Sequence, residues 1–358
     1  MKKSLFIAAL ATLALASCSK NEVIELQQDQ IKFSAVADNA SRGTVVTTAT
    51  LNNFYAWGWV EQDDAIANDY ETLYFKDVLF EKVGANFISQ TTNYWWPTGA
   101  MKFYATNLDN VELESGTFEY EVSTTLNAQK DLLYAAMFNQ TKKEVVDLNF
   151  RHALSQIVFQ VGVDEKGANL PLEVTIKRIN LAGINNKANF TMPTANTNEP
   201  NYSEPDGGEG DINGKTEDHD TYSTSWGKWS NHSGGETYSA IVETSIRNDV
   251  FGGNPKTDGY INYGTSDNAM MLLLPQSIEG KILSVECEIK TKGANGDLIT
   301  LHDNTLTALN YTFPTDSKWE QGKKYVYKLK FGASSLSTIK FNVTVDVYQT
   351  ATTTPIEL

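Results

Sequence analysis

Apolar and polar positions alternate along much of this chain with a period of two, the spacing that puts successive side chains on opposite faces of a strand. Ile31–Ala37 places Ile31, Phe33 and Ala35 on one face. Further strand-like runs follow at Phe54–Val60, Tyr74–Phe80, Met101–Thr106, Leu170–Gly183, Met270–Leu274, Ile282–Lys290, Leu298–His302, Tyr325–Phe331 and Ile339–Tyr348. Turn chemistry separates them, as at Asp38–Thr44 and Gly293–Gly296. Asn127–Met137 is compatible with one short helix. The pattern predicts an all-β fold of two antiparallel β-sandwich domains. No internal repeat is evident by eye.

One stretch organises the rest. In Val145–Val163, Val146, Leu148, Phe150, His152 and Leu154 share a face, and after Ser155 the apolar face shifts to Ile157, Phe159, Val161 and Val163. A phase change of this kind means a bulge, a turn or a crossing into another sheet. It predicts a seam, with an N-terminal sandwich over residues 43–152 and a C-terminal sandwich over 153–358. His152 lies within the apolar set and reads as a packed, hydrogen-bonded core histidine.

The N-terminus changes the picture. Lys2 and Lys3 precede the apolar run Leu5–Leu15, which is short for a membrane span, so residues 1–17 read as a processing signal. Leu15-Ala16-Ser17-Cys18 looks like a bacterial lipobox, in which the sulfur of Cys18 takes a diacylglycerol. That predicts an outer-membrane lipoprotein, tethered through a polar stretch ending at Gln30. With Cys18 lipidated, no intrachain disulfide is available; Cys287 falls on the apolar face of Leu283, Val285 and Ile289. The formal charge is −15, and losing Lys2 and Lys3 with the signal lowers it by two more. Such a balance argues against nucleic acid as a partner.

Residues 193–235 read as a long acidic loop in the second domain. Trp226 and Trp229 within it suit either pinning of the loop or stacking on a sugar, and pinning is the favoured reading. Glu209, Asp211, Asn213, Gly214 and Asp220 form a weak calcium-loop pattern, with no helical pattern on either side. No HExxH, paired CxxC, GxSxG or phosphate-cradling glycine loop occurs. Ser266-Asp267-Asn268 and Ser337-Thr338-Ile339-Lys340 match penicillin-binding elements only in the wrong order, and His152, His219, His232 and His302 are scattered. No cofactor is expected, and an enzyme is the class with least support.

Four pieces together resemble a known family. They are Asp131-Leu132-Leu133-Tyr134-Ala135, Phe150-Arg151-His152-Ala153-Leu154-Ser155, Leu273-Leu274-Pro275-Gln276, and Trp319 to Tyr327 (WEQGKKYVY). In this order they are similar to the fimbrillin-like family, the type V pilins and related surface lipoproteins of Bacteroidales. The resemblance implies transthyretin-like sandwiches, a structural or adhesive role in a surface pilus, and other pilus subunits as partners. It also implies that a trypsin-like protease cuts after Arg42, making Gly43 the new terminus and removing the first strand from the segment 18–42. The removed strand would leave a groove, and Ile339, Phe341, Val343, Val345 and Val347 could fill such a groove in a neighbour. The same strand reads equally well as the last strand of its own sandwich. A surface glycan-binding lipoprotein presenting Trp226, Trp229 or Trp95 is the alternative function.

Overall fold

The computed structural model describes residues 30–37, 49–62, 70–113, 115–141, 145–163, 171–197, 225–247, 260–263, 270–303, 309–331, 340–347 and 355–357. Alternation in the sequence becomes strand throughout. The first half supplies β1 (Phe33–Ala37), β2 (Asn53–Gln62), β3 (Tyr70–Val83), β4 (Asn86–Ile88), β5 (Ala100–Thr106), β6 (Thr117–Glu121), β7 (Leu133–Gln140) and β8 (Val146–His152). Seven of them close into a barrel in the order β1-β4-β3-β2-β5-β7-β8.

This barrel replaces the expected N-terminal sandwich. β1 lies antiparallel to β4 on one side and parallel to β8 on the other, so the sheet returns on itself. Closure gives β1 a partner on each side, whereas a sandwich keeps two sheets apart. The interior is aromatic: Phe33, Phe54, Phe80, Phe87, Phe103 and Phe150 are all buried in one cluster. The short helix also fails to appear. A 3-10 turn spans Leu126–Ala128, and β7 takes over from Leu133. Leu133, Ala135 and Met137 face the barrel core while Tyr134 and Ala136 join a second core. A strand buried on both faces reads as a continuous apolar run, which periodicity alone does not separate from a helix.

The second core lies among β9 (Ser155–Val163), β10 (Leu172–Thr191), β11 (Lys228–Arg247), β12 (Tyr260–Tyr263), β13 (Met271–Leu273), β14 (Gln276–Ser277), β15 (Ile282–Lys292), β16 (Leu298–Asp303), β17 (Leu309–Thr312), β18 (Lys318–Trp319), β19 (Lys323–Phe331), β20 (Lys340–Val347) and β21 (Pro355–Glu357). One sheet runs β11-β10-β15-β16, with β6 added to β10 and β17 to β15; another runs β12-β9-β19-β20-β21, with β13 added to β9. Val174, Ile176, Ile179 and Leu181 from the first share an apolar cluster with Ile157, Phe159, Val161 and Leu329 from the second. Trp57, Trp59 and Tyr104 of the barrel wall belong to the same cluster. The wall strands β2, β5 and β7 therefore serve two cores at once.

The shift of phase after Ser155 coincides with a change of sheet: β8 ends in the barrel at His152, and β9 starts at Ser155 in another sheet. β6 comes from within residues 43–152 but pairs with β10 in the second half. The last part of the loop expected over residues 193–235 is strand, because β11 begins at Lys228 and pairs back along β10. Asn231, Gly234 and Gly235 take positive φ there, and the register slips repeatedly, so the Gly/Asn-rich stretch encodes bulges in a strand. Residues 198–224 lie outside the described residues. Among the described residues no helix is long and apolar enough to cross a membrane.

Candidate functional site

Two places in the fold carry the sequence signals: the slot that β1 fills, and the seam between β8 and β9. In the slot, β1 runs parallel to β8 from Phe33↔Val146 to Ala37↔Phe150 and meets β4 at Phe33↔Phe87. Main-chain bonds extend its hold, Ile31 N donating to Tyr94 O at 2.8 Å and Val146 N to Lys32 O at 2.9 Å. Ile31, Phe33 and Ala37 are buried. The Phe33 ring meets Phe54, Phe80 and Phe103 edge-on, with centroids 5.7, 4.8 and 5.2 Å away. One side-chain bond joins β1 to the next strand, from Ser34 Oγ to Asp147 Oδ1. The strand is thus held by backbone pairing and apolar shape. Arg42 and Gly43 follow it outside the described residues, as Cys18 precedes it.

β20 carries the other half of the exchange expectation. It pairs antiparallel with β19 from Lys323↔Val347 to Lys330↔Lys340, and β21 covers it only at Asn342–Thr344. This is the place of a terminal strand in its own sheet, near the sheet's edge. Ile339 lies outside the described residues.

The seam is different in kind, because the family-like motifs meet there. β7 and β8 pair at Leu133↔His152 and Tyr134↔Arg151. His152 Nδ1 lies 2.7 Å from Asp131 Oδ2, both side chains being buried. Asn107 bridges the chain just ahead of β7: its Nδ2 donates to Asp131 O, and its Oδ1 accepts from Leu133 N, both at 2.7 Å. Arg151 Nη2 donates to Thr197 O at 2.9 Å, and its guanidinium sits 4.2 Å from the ring centre of Trp226. The Tyr134 hydroxyl accepts from Gln321 Nε2 and, at 3.2 Å, from Gly227 N. Burial pushes that hydroxyl up to about 12, against the opposing pull of Arg151. Ser155 Oγ donates to Glu320 O at 2.8 Å.

Two glycines are required by this packing. Gly322 takes φ +68°, where L side chains are strained, and its N–H reaches Leu154 O at 3.0 Å. At Gly227, a Cβ would stand 2.1 Å from the Phe190 ring. The remaining motif joins the same region: Gln276 pairs in register with Trp319, and its amide both donates to Asn185 O and accepts from Asn185 N at 2.9 Å. Buried polar groups are costly to leave unpaired, and several of these bond one another across the boundary between barrel and sheets. Asp131, Asn107 and Thr197 were missed as members of this network. Their only sequence signal was the place of Asp131 at the head of a family-like motif, since partners up to 61 residues apart cannot be paired by spacing.

The tryptophans are engaged within the chain. Trp229 Nε1 donates to Ala153 O at 2.8 Å, and its ring stands 4.9 Å from Phe190. Trp226 lies against Arg151 as above, while Trp95 is 40% exposed. Glu209, Asp211, Asn213, Gly214 and Asp220 fall outside the described residues. Among the described residues no three His, Cys, Asp or Glu side chains gather as a metal site. Cys287 is fully buried, and burial pushes its thiol up to about 12.

The family model described as fimbrillin-like matches residues 39–346, and the chain belongs to that family. No curated protein matches the sequence. Among solved structures it is similar to a fimbrial protein from Bacteroides vulgatus at 16% identity, with 89% of this chain and 99% of that one covered and a TM-score of 0.51. It is also similar to a candidate cell adhesion protein from Bacteroides ovatus (13% identity, 90% and 99% covered, TM-score 0.48). A third is a fimbrial assembly protein from Parabacteroides distasonis (10% identity, 91% and 99% covered, TM-score 0.41). The first of these shares the all-β fold.

Proposed function

We propose that this chain is a structural or adhesive subunit of a cell-surface fimbria, exported as a lipoprotein precursor and assembled by strand exchange. The family supports the fimbrial role. The exchange reading is carried by β1, the one barrel strand that precedes Arg42 and pairs with β4 and β8 to close the sheet. Cleavage at Arg42 would free it, opening a groove between β4 and β8 with two unpaired edges and an aromatic floor. The lipid on Cys18 would hold the precursor at the outer membrane until then.

N-terminal sequencing of assembled surface material tests the cut. A terminus at Gly43 is the expected result; one at Cys18 rejects cleavage for a stalk subunit and leaves an anchor that keeps its lipid. Cys18→Ala should yield unprocessed or released protein with no acyl label. Membrane partition of that variant at wild-type level would reject the lipid anchor. Electron microscopy of protease-treated protein reads polymer formation directly.

A further inference from the structure

Of the Phe, Tyr and Trp side chains whose burial is described, two are exposed: Tyr74 at 37% and Trp95 at 40%. Single apolar side chains on a surface are ordinary, but these two are locked together. They come from β3 and from the connection between β4 and β5. The Tyr74 hydroxyl donates to Trp95 O at 2.9 Å and lies 3.4 Å from Trp95 N, which donates to it. Tyr94 backs the pair, its ring centre 5.9 Å from that of Tyr74 and 4.9 Å from that of the buried Phe75. In the uncleaved chain Gln30 also bridges to Trp95, and Ile31 N donates to Tyr94 O at 2.8 Å. The Tyr74 bonds lie wholly beyond Arg42, so that fastening does not depend on β1. The loop leading to Trp95 brings no charge: it reads Ser89-Gln90-Thr91-Thr92-Asn93. Asn93 Oδ1 accepts from Gln30 Nε2 at 3.0 Å.

Resting on the adhesive reading above but not on strand exchange, we infer that the Tyr74–Trp95 face binds a neutral carbohydrate. A pyranose has an apolar C–H face for a flat ring and a rim of hydroxyls for amides and alcohols, and this face of the barrel offers both kinds of partner. Charge selects among sugars. The loop beside the rings carries no cation to pair with a uronate or a sulfate, and a chain of formal charge −15 repels acidic polymers. Size selects against a protein partner. A stable protein interface buries about 800 Å² on each side, whereas a whole aromatic side chain contributes roughly 150–250 Å². Two partly exposed rings match one or two sugar units. Rigidity favours the same ligand, because a platform already fastened at Trp95 has little ordering left to lose on binding.

Native gels containing dextran, mannan or galactan test this on the full uncleaved chain, with polygalacturonate as the acidic control. Retardation by at least one neutral polymer is expected. Trp95→Ala should weaken it about tenfold or more, the scale of losing a central aromatic contact. Trp95→Leu should do the same, because it keeps apolar bulk without a flat ring, and Trp95→Phe should keep most of the binding. Trp95 is exposed, so the melting temperature of each variant should stay within about 2 °C of wild type. No retardation in any neutral gel overturns the site, as does equal retardation of Trp95→Ala or Trp95→Leu. Stronger retardation by polygalacturonate overturns the ligand class. Self-association that disappears in Trp95→Ala, read by sedimentation, would give the face to a second copy and overturn the proposal as well. Polymer formation is followed separately by electron microscopy. A chain that polymerises without Trp95-dependent retardation loses this site and keeps the fimbrial reading. One that is retarded through Trp95 but never polymerises keeps the site and loses strand exchange.

Discussion

The slot and the seam lie at the two ends of β8, yet different physics holds each. Val146 to Phe150 pair with β1, which contributes backbone bonds and a row of apolar side chains. Arg151 and His152, the next two residues, enter a network in which individual side chains bond individual partners from Asp131 to Gln321. A slot built on main chain and shape accepts any strand with the right alternation and sizes. A seam built on named donors and acceptors accepts only its own residues. One strand thus carries a contact of shape and a contact of named partners, a division that suits the proposed exchange of β1 while the two halves stay joined.

The largest effect is expected in the slot. Phe33→Ala removes a fully buried ring from an aromatic cluster, which costs about 3–5 kcal/mol in cores of this kind. Urea unfolding of the uncleaved chain measures it, and Phe33→Leu should recover much of the loss because shape is what the slot reads. Equal destabilisation by Leu and Ala would mean that the ring itself is needed, and the slot would then be less permissive than argued.

The seam should respond to chemistry at constant shape. Asp131→Ala takes the carboxylate from His152 in a buried setting, at a cost of roughly 1–3 kcal/mol. His152→Ala alone should cost a similar amount, and the double variant much less than the sum. Additive losses in that cycle would show that the two residues do not act as a pair.

Much of this fold was legible in alternation, because a period of two reports strands wherever one face is buried. Closure of the barrel was not, since it depends on β1 pairing with β8 more than a hundred residues later. Lys228–Gly235, the last part of the 193–235 stretch, is strand where a loop was expected for a related reason: bulges need Gly and Asn, the residues that also mark loops. His152 was readable as a core histidine from its apolar neighbours. Its partner Asp131 was not, although both stand in family-like motifs, because no local rule joins residues across β7 and β8.

A smaller seam effect is expected at Tyr134→Phe, which removes the acceptor for Gln321 and Gly227 at about 1 kcal/mol. It has a pH signature. The hydroxyl is raised from 10.0 to about 12 in the folded chain, so the unfolded chain loses its proton first. Its contribution is therefore complete below about pH 10 and declines as pH rises towards 12. Burial raises Tyr120, Tyr238 and Tyr327 as well, so wild type will lose stability there in any case. The measurement is the difference: Tyr134→Phe should shallow the alkaline slope, and an unchanged slope would remove Tyr134 from the account.

The smallest effect is expected at Ser34→Ala, and its smallness is what sharpens the comparison. Ser34 Oγ donates to Asp147 Oδ1, so the bond resembles those of the seam on paper. It lies on the exposed side of the barrel wall, where water replaces a lost partner at little cost. The expected loss is within about 0.5 kcal/mol by urea unfolding, an ordinary surface value. A loss above about 1.5 kcal/mol would mean that β1 is recognised through a specific side-chain bond, as the seam residues are. The slot would then demand a donor at that position from any incoming strand.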